Sequence, residues 1–110
     1  IEINPEYISA YNNRGIANKK LKRYEKAIAD YTKAIEIDSE YAFAYNNRGL
    51  VNDELQKYEE AIADYTKAIE IDSEYAFAYN NRGIANKNLK RYEEAIADYT
   101  KAIEIDSEYA

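Results

Sequence analysis

Apolar residues recur at three- and four-residue spacing along most of the chain, which is the pattern of amphipathic helices. In the middle of the chain, Tyr45, Val51 and Leu55 fall mostly on one helical face, and a second such stretch begins at Tyr58. Because only two or three residues separate the two stretches, the paired helices must run antiparallel. The pattern predicts six helices and no strand, with the helices at residues 8–21, 24–37, 42–55, 58–71, 76–89 and 92–105.

The helix pairs recur with a period of 34 residues, since the segment Tyr-Asn-Asn-Arg-Gly begins at Tyr11, Tyr45 and Tyr79. Self-similarity at such a period indicates stacked units, each of which buries its apolar face on its neighbours. We therefore expect one continuous array, divided into the tail of a preceding repeat and three repeats at residues 1–7, 8–41, 42–75 and 76–110.

Glycine stands inside the first helix of each pair, at Gly15, Gly49 and Gly83. Glycine costs about 1 kcal/mol relative to alanine there, so its recurrence favours a close approach of the two helices over an accidental weak point. The expected partners are the small residues of the second helices, Ala27, Ala61 and Ala95. The Asp-Ser pairs that start at residues 38, 72 and 106 are expected to end one helix and cap the next.

Composition removes several classes of function. The chain has no Cys and no His, which excludes disulfides, thiolate or imidazole metal sites and the usual nucleophile–base pairs. We therefore expect no enzyme activity, no cofactor and no metal. A formal net charge of −6 disfavours nucleic acids and anionic lipids as partners, and no apolar run is long enough to span a membrane.

These features together resemble the tetratricopeptide repeat family. The period matches, and so does the order of aromatic and small residues, which recurs in every copy and in the second runs Tyr45, Gly49, Tyr58, Ala61, Tyr65 and Ala68. The resemblance implies an all-α fold, an α-solenoid of antiparallel helix pairs in a right-handed superhelix. The chain departs from the family pattern because Ser39, Ser73 and Ser107 replace a usual proline, which Pro5 retains. The family's polar capping helix is expected to be missing after the third repeat.

The resemblance also implies a site, since the first helices of similar proteins line a concave groove that holds an extended peptide. Carried over to this chain, the groove comprises Ser9, Asn12, Asn13, Ile16, Lys19, Lys20, Phe43, Asn46, Asn47, Leu50, Asp53, Glu54, Phe77, Asn80, Asn81, Ile84, Lys87 and Asn88. An asparagine amide both donates and accepts, so Asn13, Asn47 and Asn81 are expected to hold a peptide main chain. The alternative is that these amides only solvate the inner face.

Charge alternates along this expected groove, from Lys19 and Lys20 through Asp53 and Glu54 to Lys87. The middle repeat has 3 basic and 8 acidic residues, so a basic partner segment is plausible there and the whole ligand is expected to be extended and of mixed charge. The alternative is that these charge differences arose by sequence drift on a solvent-exposed face and have no role in binding. Of the family's clamp for a C-terminal carboxylate only Asn47 is present, so that mode of binding is not expected.

Arginine stands where the family usually has an apolar residue, and aspartate where it often has a larger side chain. A buried arginine is costly without a hydrogen-bonded carboxylate, so we expect ion pairs within or between repeats. The pairs are Arg14 with Asp30, Arg48 with Asp64, and Arg82 with Asp98. The alternative is that arginine reaches water and aspartate is simply exposed.

Two functions from different classes remain. A non-catalytic scaffold that binds a peptide of another protein accounts best for the expected groove. The alternative is self-assembly, because the last helix would expose the stacking face around Tyr99, Ile103 and Ile105 to a second copy of the chain. Neither the composition nor the absence of Cys indicates a cellular compartment.

Overall fold

The computed structural model describes residues 5–107, and within this range the chain forms six α-helices and no strand. The helices are α1 (Pro5–Lys20), α2 (Tyr24–Ile37), α3 (Ala42–Glu54), α4 (Tyr58–Ile71), α5 (Ala76–Asn88) and α6 (Tyr92–Ser107). The predicted bounds of α2 and α4 are confirmed to the residue. Helix α1 begins at Pro5, so residues 5–7, which were expected in the tail of a preceding repeat, are continuous with the first helix of repeat one. The remaining part of that expected tail, residues 1–4, lies outside the described residues.

The turn inside each repeat is closed by backbone hydrogen bonds. Gln56 has a left-handed backbone, with φ of 62°, and its N–H donates to the Asp53 carbonyl at 2.9 Å. The N–H of Lys57 donates to the Asn52 carbonyl at 2.8 Å. These two bonds form a Schellman motif, which satisfies the last carbonyls of α3 and reverses the chain. The same conformation at Lys22 makes the equivalent turn in the first repeat.

The joint between repeats is built differently from the prediction. Asp38 and Asp72 do follow the ends of α2 and α4, but neither caps the next helix, whose N-caps are Tyr41 and Tyr75 without side-chain bonds. The Asp38 carboxylate instead accepts the N–H of Glu40 at 3.0 Å, because a short Asx turn lets it satisfy a donor only two residues ahead. In the third repeat the helix continues through Ser107, so the expected stop at residue 106 is also wrong.

The atoms nearest to the Cβ position of each first-helix glycine belong to a tyrosine ring, a contact that the sequence did not predict. A Cβ built on Gly49 would lie 2.5 Å from Cε1 of Tyr65, and the same contact recurs between Gly15 and Tyr31. Ala61 is fully buried, but the tyrosine one turn further along α4 reaches across the interface. Glycine therefore makes room for a ring between the two helices, which lets them approach closely.

Helices that follow one another in sequence pack together, and this builds an elongated body with extents of 42 × 29 × 23 Å. The buried core crosses the repeat boundaries, since Ala44 and Val51 of α3 pack with Tyr31 of α2. The first helices also touch one another, α1 against α3 and α3 against α5. Over the described residues the second helices α2, α4 and α6 make no such contacts with one another. The first helices therefore form the more closely spaced layer.

Gly49→Ala is expected to destabilise the protein by about 1–2 kcal/mol. Overpacking a buried ring costs more than the roughly 1 kcal/mol of helix propensity that alanine adds. Gly83→Ala is the matched control, because its partner Tyr99 is less buried and can move aside. Urea unfolding of both variants checks this prediction. A Gly49→Ala variant as stable as the parent would show that the ring contact does not limit helix approach.

Candidate functional site

The exposed and half-exposed side chains of α1, α3 and α5 form one surface, here called the first-helix face. On α3 it carries Phe43, Asn47, Leu50 and Glu54, at the spacing of one helical stripe. The predicted groove residues on this face are Ser9, Asn13, Ile16, Lys19, Lys20, Phe43, Asn47, Leu50, Asp53, Glu54, Phe77, Asn80, Asn81, Ile84, Lys87 and Asn88. The face therefore combines amide, apolar and charged groups, which is a surface able to contact both the main chain and the side chains of a ligand.

A cleft of about 410 Å³ lies on this face between α3 and α5, here called the α3–α5 cleft. Its lining consists of Leu50, Asp53, Glu54, Gln56, Tyr58, Asn81, Ile84 and Asn88. Most of these residues were expected in the groove. Gln56 and Tyr58 were not, because Gln56 lies in the turn after α3 and Tyr58 is the first residue of α4, although their position shortly after Glu54 was a usable signal. The cleft is the place where the structure brings predicted site residues of two repeats together.

Two of the predicted groove residues lie elsewhere. Asn12 and Asn46 are only 7% and 5% exposed, so they belong to the interface between repeats. The Asn12 Oδ1 accepts a hydrogen bond from Nδ2 of Asn47 at 3.0 Å, and Asn46 accepts one from Asn81 at 3.1 Å. Two of the three asparagines expected to hold a peptide main chain, Asn47 and Asn81, thus also join neighbouring repeats, and loss of either would affect stability.

Asp53 is the most unusual group of the α3–α5 cleft. Its Oδ2 accepts the hydroxyl of Tyr65 at 2.8 Å, whereas its Oδ1 is buried without a hydrogen-bond partner. Burial raises the pKa of the Asp53 carboxyl, the Tyr65 hydrogen bond lowers that pKa, and the neighbouring charge of Glu54 raises it. Burial, and after it the hydrogen bond to the Asp53 carboxylate, raise the pKa of the Tyr65 hydroxyl, so this tyrosine stays protonated as a donor.

The first repeat lacks this arrangement. Lys19 occupies the position of Asp53, and the buried hydroxyl of Tyr31 has no hydrogen-bond partner among the described residues. Burial raises the pKa of Tyr31 to about 12. The two repeats share the tyrosine and its packing on glycine, so the carboxylate is a local addition of the middle repeat.

Exposed aromatic rings flank the start of the first-helix face. Phe43 meets the rings of Tyr41 and Tyr75 edge-on, with centroids 5.7 and 5.6 Å apart. Phe77 is also exposed and lines a cavity of about 380 Å³ with Asn80 and residues of α6. The predicted apolar contacts are therefore present at the surface, although Phe77 lies at the end of the array and not in the α3–α5 cleft.

The predicted arginine–aspartate pairs are in direct contact inside each repeat. Nη2 of Arg48 lies 2.8 Å from Oδ1 of Asp64, and Nε of Arg48 donates to Oδ2 at 3.0 Å. Asn52, four residues after Arg48 and on the same helical face, donates to the same carboxylate at 3.1 Å. The burial differs from the prediction, since the aspartate side chain is 9% exposed and the arginine 24%. The costly buried charge is therefore the carboxylate.

Arg48 also joins two repeats, because its Nη1 donates to Oγ1 of Thr32 on α2 at 3.3 Å. Arg82 makes the same bond to Thr66 at 3.2 Å. Arg14 pairs with Asp30 at 2.7 Å, but its side chain is 66% exposed. The repeated asparagine and threonine positions were visible in the sequence at the 34-residue period, and they were missed because periodicity alone does not say which polar residues meet.

Two further cavities lie outside the predicted groove. A cavity of about 350 Å³ at the start of the array is lined by Tyr7, Tyr11, Arg14 and neighbouring apolar residues. Another, of about 360 Å³, lies against α4 and α6. Within the described residues no group of His, Cys, Asp or Glu is arranged to hold a metal ion. None of the helices in this range has the length and apolar character that crossing a membrane requires.

The stacked helix pairs, their reversing turns and the repeated polar network define a helical repeat protein. The family model of the tetratricopeptide repeat matches residues 8–41, 42–75 and 76–109. The chain therefore belongs to the tetratricopeptide repeat family. These matches begin at the first residue of each predicted repeat.

Solved structures with the same fold include several peptide complexes. The second TPR domain of Spaghetti (RPAP3) bound to the HSP90 peptide SRMEEVD is 34% identical, with a TM-score of 0.87 over 90% of this chain and 92% of that chain. The second TPR domain of human RPAP3 in complex with the HSP70 peptide SGPTIEEVD is 33% identical, with a TM-score of 0.88 over 93% and 85%. The Arabidopsis OM64 TPR domain is 36% identical, with a TM-score of 0.90 over 94% and 85%. No curated protein sequence matches the chain.

Arg48→Met is expected to destabilise the protein by about 3 kcal/mol, because it leaves the Asp64 carboxylate buried with Asn52 as its remaining partner. Replacing both charges, as in Arg48→Met/Asp64→Leu, should recover most of that loss, since no unpaired buried charge then remains. Chemical unfolding of the two variants measures both effects. A loss below about 0.5 kcal/mol in the single variant would mean that the pair behaves as an exposed one.

Proposed function

We propose that this protein is a non-catalytic interaction scaffold that binds an extended peptide segment of another protein on the first-helix face. The observation that carries the proposal is the α3–α5 cleft, which joins apolar walls at Leu50 and Ile84 to the Asn81 amide and two carboxylates. A ligand segment there could bury side chains while its main chain exchanges hydrogen bonds with the amides. The peptide complexes formed by structurally similar domains support the same use of the fold.

The arrangement of helices supports a concave shape for this face. We infer that the array is a segment of a right-handed superhelix with the first helices on its inner side. In a curved stack the inner layer is the more closely spaced one, and here the first helices are the ones that touch each other. A concave surface buries more of an extended ligand than a flat surface does.

Asparagine retains a role in this proposal despite its bonds between repeats. Asn47 and Asn81 each donate one Nδ2 hydrogen to the neighbouring repeat, which leaves the Oδ1 and a second N–H for a ligand. The bond to the neighbour also holds each amide in a fixed orientation. Less conformational entropy is then lost when a peptide binds than with a free side chain.

Peptides selected by the chain from a displayed library of random linear peptides provide the test. Ile84→Ala and Asn81→Ala should each weaken binding of such peptides by several-fold, because the first removes apolar contact and the second a hydrogen bond worth about 0.5–1.5 kcal/mol. Lys67→Ala, which changes an exposed residue on α4, is the control and should leave affinity unchanged. Isothermal titration calorimetry, with circular dichroism to verify folding, measures these effects.

Failure to select any peptide would contradict the proposed function. Selected peptides whose affinity is insensitive to both Ile84→Ala and Asn81→Ala would place the contact on another surface. Asn81→Ala is also expected to lower stability modestly, because it removes the bond to Asn46, so titrations are made well below the melting temperature.

Self-association through the end faces is a second candidate function, and one observation favours it. Arg14 is 66% exposed, whereas Arg48 and Arg82 are 24% and 22% exposed and bond to threonines of the preceding helix pair. Among the described residues, the equivalent threonine of α6, Thr100, donates only to the Ile96 carbonyl of its own helix, and Ile103, three residues further on, is exposed. The two end faces thus carry the two halves of the contact that joins repeats, and head-to-tail stacking of two copies would complete it.

If the end faces stack, the melting temperature of the chain should rise with protein concentration. Ile103→Glu should abolish that rise, because it places a charge in the stacked face, while Glu60→Gln on the outer side of α4 should not. Sedimentation of all three proteins gives the independent measure of mass. A monomer at every concentration would remove this second function and leave peptide binding untouched.

A further inference from the structure

We propose that the α3–α5 cleft recognises a basic side chain, lysine or arginine, of the bound peptide. This inference rests on the proposed function and adds to it the chemical class of the side chain that fixes the ligand's position. The residues that carry it are Asp53 and Glu54, which line the cleft at the end of α3.

The cleft has the shape and the lining that a long basic side chain requires. Its volume of about 410 Å³ takes a single extended side chain, and its half-buried walls at Leu50 and Ile84 suit the methylene stem. Glu54 is exposed at the same cleft, where its carboxylate is free to meet a charged head group. Apolar walls that lead to an acidic group distinguish a long cation from a short polar or an acidic residue.

No ion pair neutralises the acidic charge of this cleft among the described residues. Among the side chains that the structure describes, neither Asp53 nor Glu54 forms an ion pair. Asp53 receives one hydrogen bond, from Tyr65, and its buried Oδ1 has none. A cation in the cleft would stabilise this carboxylate, and attraction across a partly desolvated cleft is stronger than at an open surface.

The acidic pair is confined to the middle repeat. The same positions hold Lys19 and Lys20 in the first repeat, and Lys87 and Asn88 in the third. A basic ligand residue is therefore attracted at one place and repelled on either side, which fixes the register of an extended peptide. The peptides in the similar complexes, SRMEEVD and SGPTIEEVD, end in acidic residues, which the α3–α5 cleft would disfavour.

The test compares the wild-type chain with a variant in which two residues of the middle repeat are replaced by those at the equivalent positions of the third repeat. Asp53→Lys/Glu54→Asn places the residues of positions 87 and 88 in the middle repeat, where the same backbone already tolerates them in the third. Glu60→Lys/Glu70→Asn makes the same change in net charge on exposed positions of α4 and serves as the matched control. Glu54→Gln is a milder variant that leaves the Tyr65 bond to Asp53 in place.

Random linear peptides are selected on the wild-type chain, and each selected peptide is resynthesised with its basic residues replaced one at a time by norleucine. One replacement should weaken binding to the wild type by about tenfold, as expected for a charged hydrogen bond. The same replacement should have little effect on binding to Asp53→Lys/Glu54→Asn, and its full effect on binding to the α4 control. With Glu54→Gln the effect of the replacement should be reduced but measurable.

The outcomes separate this inference from the proposed function. Peptides that bind the first-helix face with no sensitivity to norleucine would overturn the basic-side-chain cleft and leave peptide binding intact. An equal loss of norleucine sensitivity in the α4 control would show that net charge, and not the cleft, is responsible, which also overturns the inference. If no peptide is selected, both the inference and the function on which it rests fail.

Discussion

The contact between a glycine of each first helix and a tyrosine ring of the second is the constraint on which the rest of the structure depends. Because Gly49 has no side chain, the ring of Tyr65 can lie against the α3 backbone, which sets how closely α3 and α4 approach. The same packing directs the tyrosine hydroxyl toward the end of the first helix. In the middle repeat that hydroxyl reaches Asp53, so the fold's packing contact also positions a carboxylate of the candidate site.

Polar side chains make a second set of interactions, and several of them contact more than one part of the array. Arg48 holds a buried aspartate of its own repeat and bonds to Thr32 of the repeat before it. Asn47 bonds to Asn12 across the same boundary and still faces the surface proposed to bind a ligand. Because these bonds join neighbouring repeats, they hold the side chains of the first-helix face in fixed positions relative to one another. Such order would reduce the entropy lost when a ligand binds there as proposed.

The helices, the repeat and the arginine–aspartate pairs could be predicted from the sequence, because each follows from periodicity or from the cost of an unpaired charge. The sequence was not sufficient to name the partner of Gly49, since a helical face is defined by spacing whereas the reach of a tyrosine ring depends on packing. The sequence also could not show that Asn46 is buried between repeats whereas Asn47 lies at the surface. Both amides lie near the inner side of α3, and the rotation of the helix against its neighbour decides which is buried.

The first-helix face, and within it the α3–α5 cleft, is the proposed location at which this protein holds a peptide. This location is tested most directly by heteronuclear NMR of the labelled chain titrated with a peptide selected for binding. If the location is right, the largest chemical-shift changes fall on α3 and α5, at Leu50, Asp53 and Ile84. Changes centred on α4 and α6, for example at Thr66 and Ala97, would contradict it.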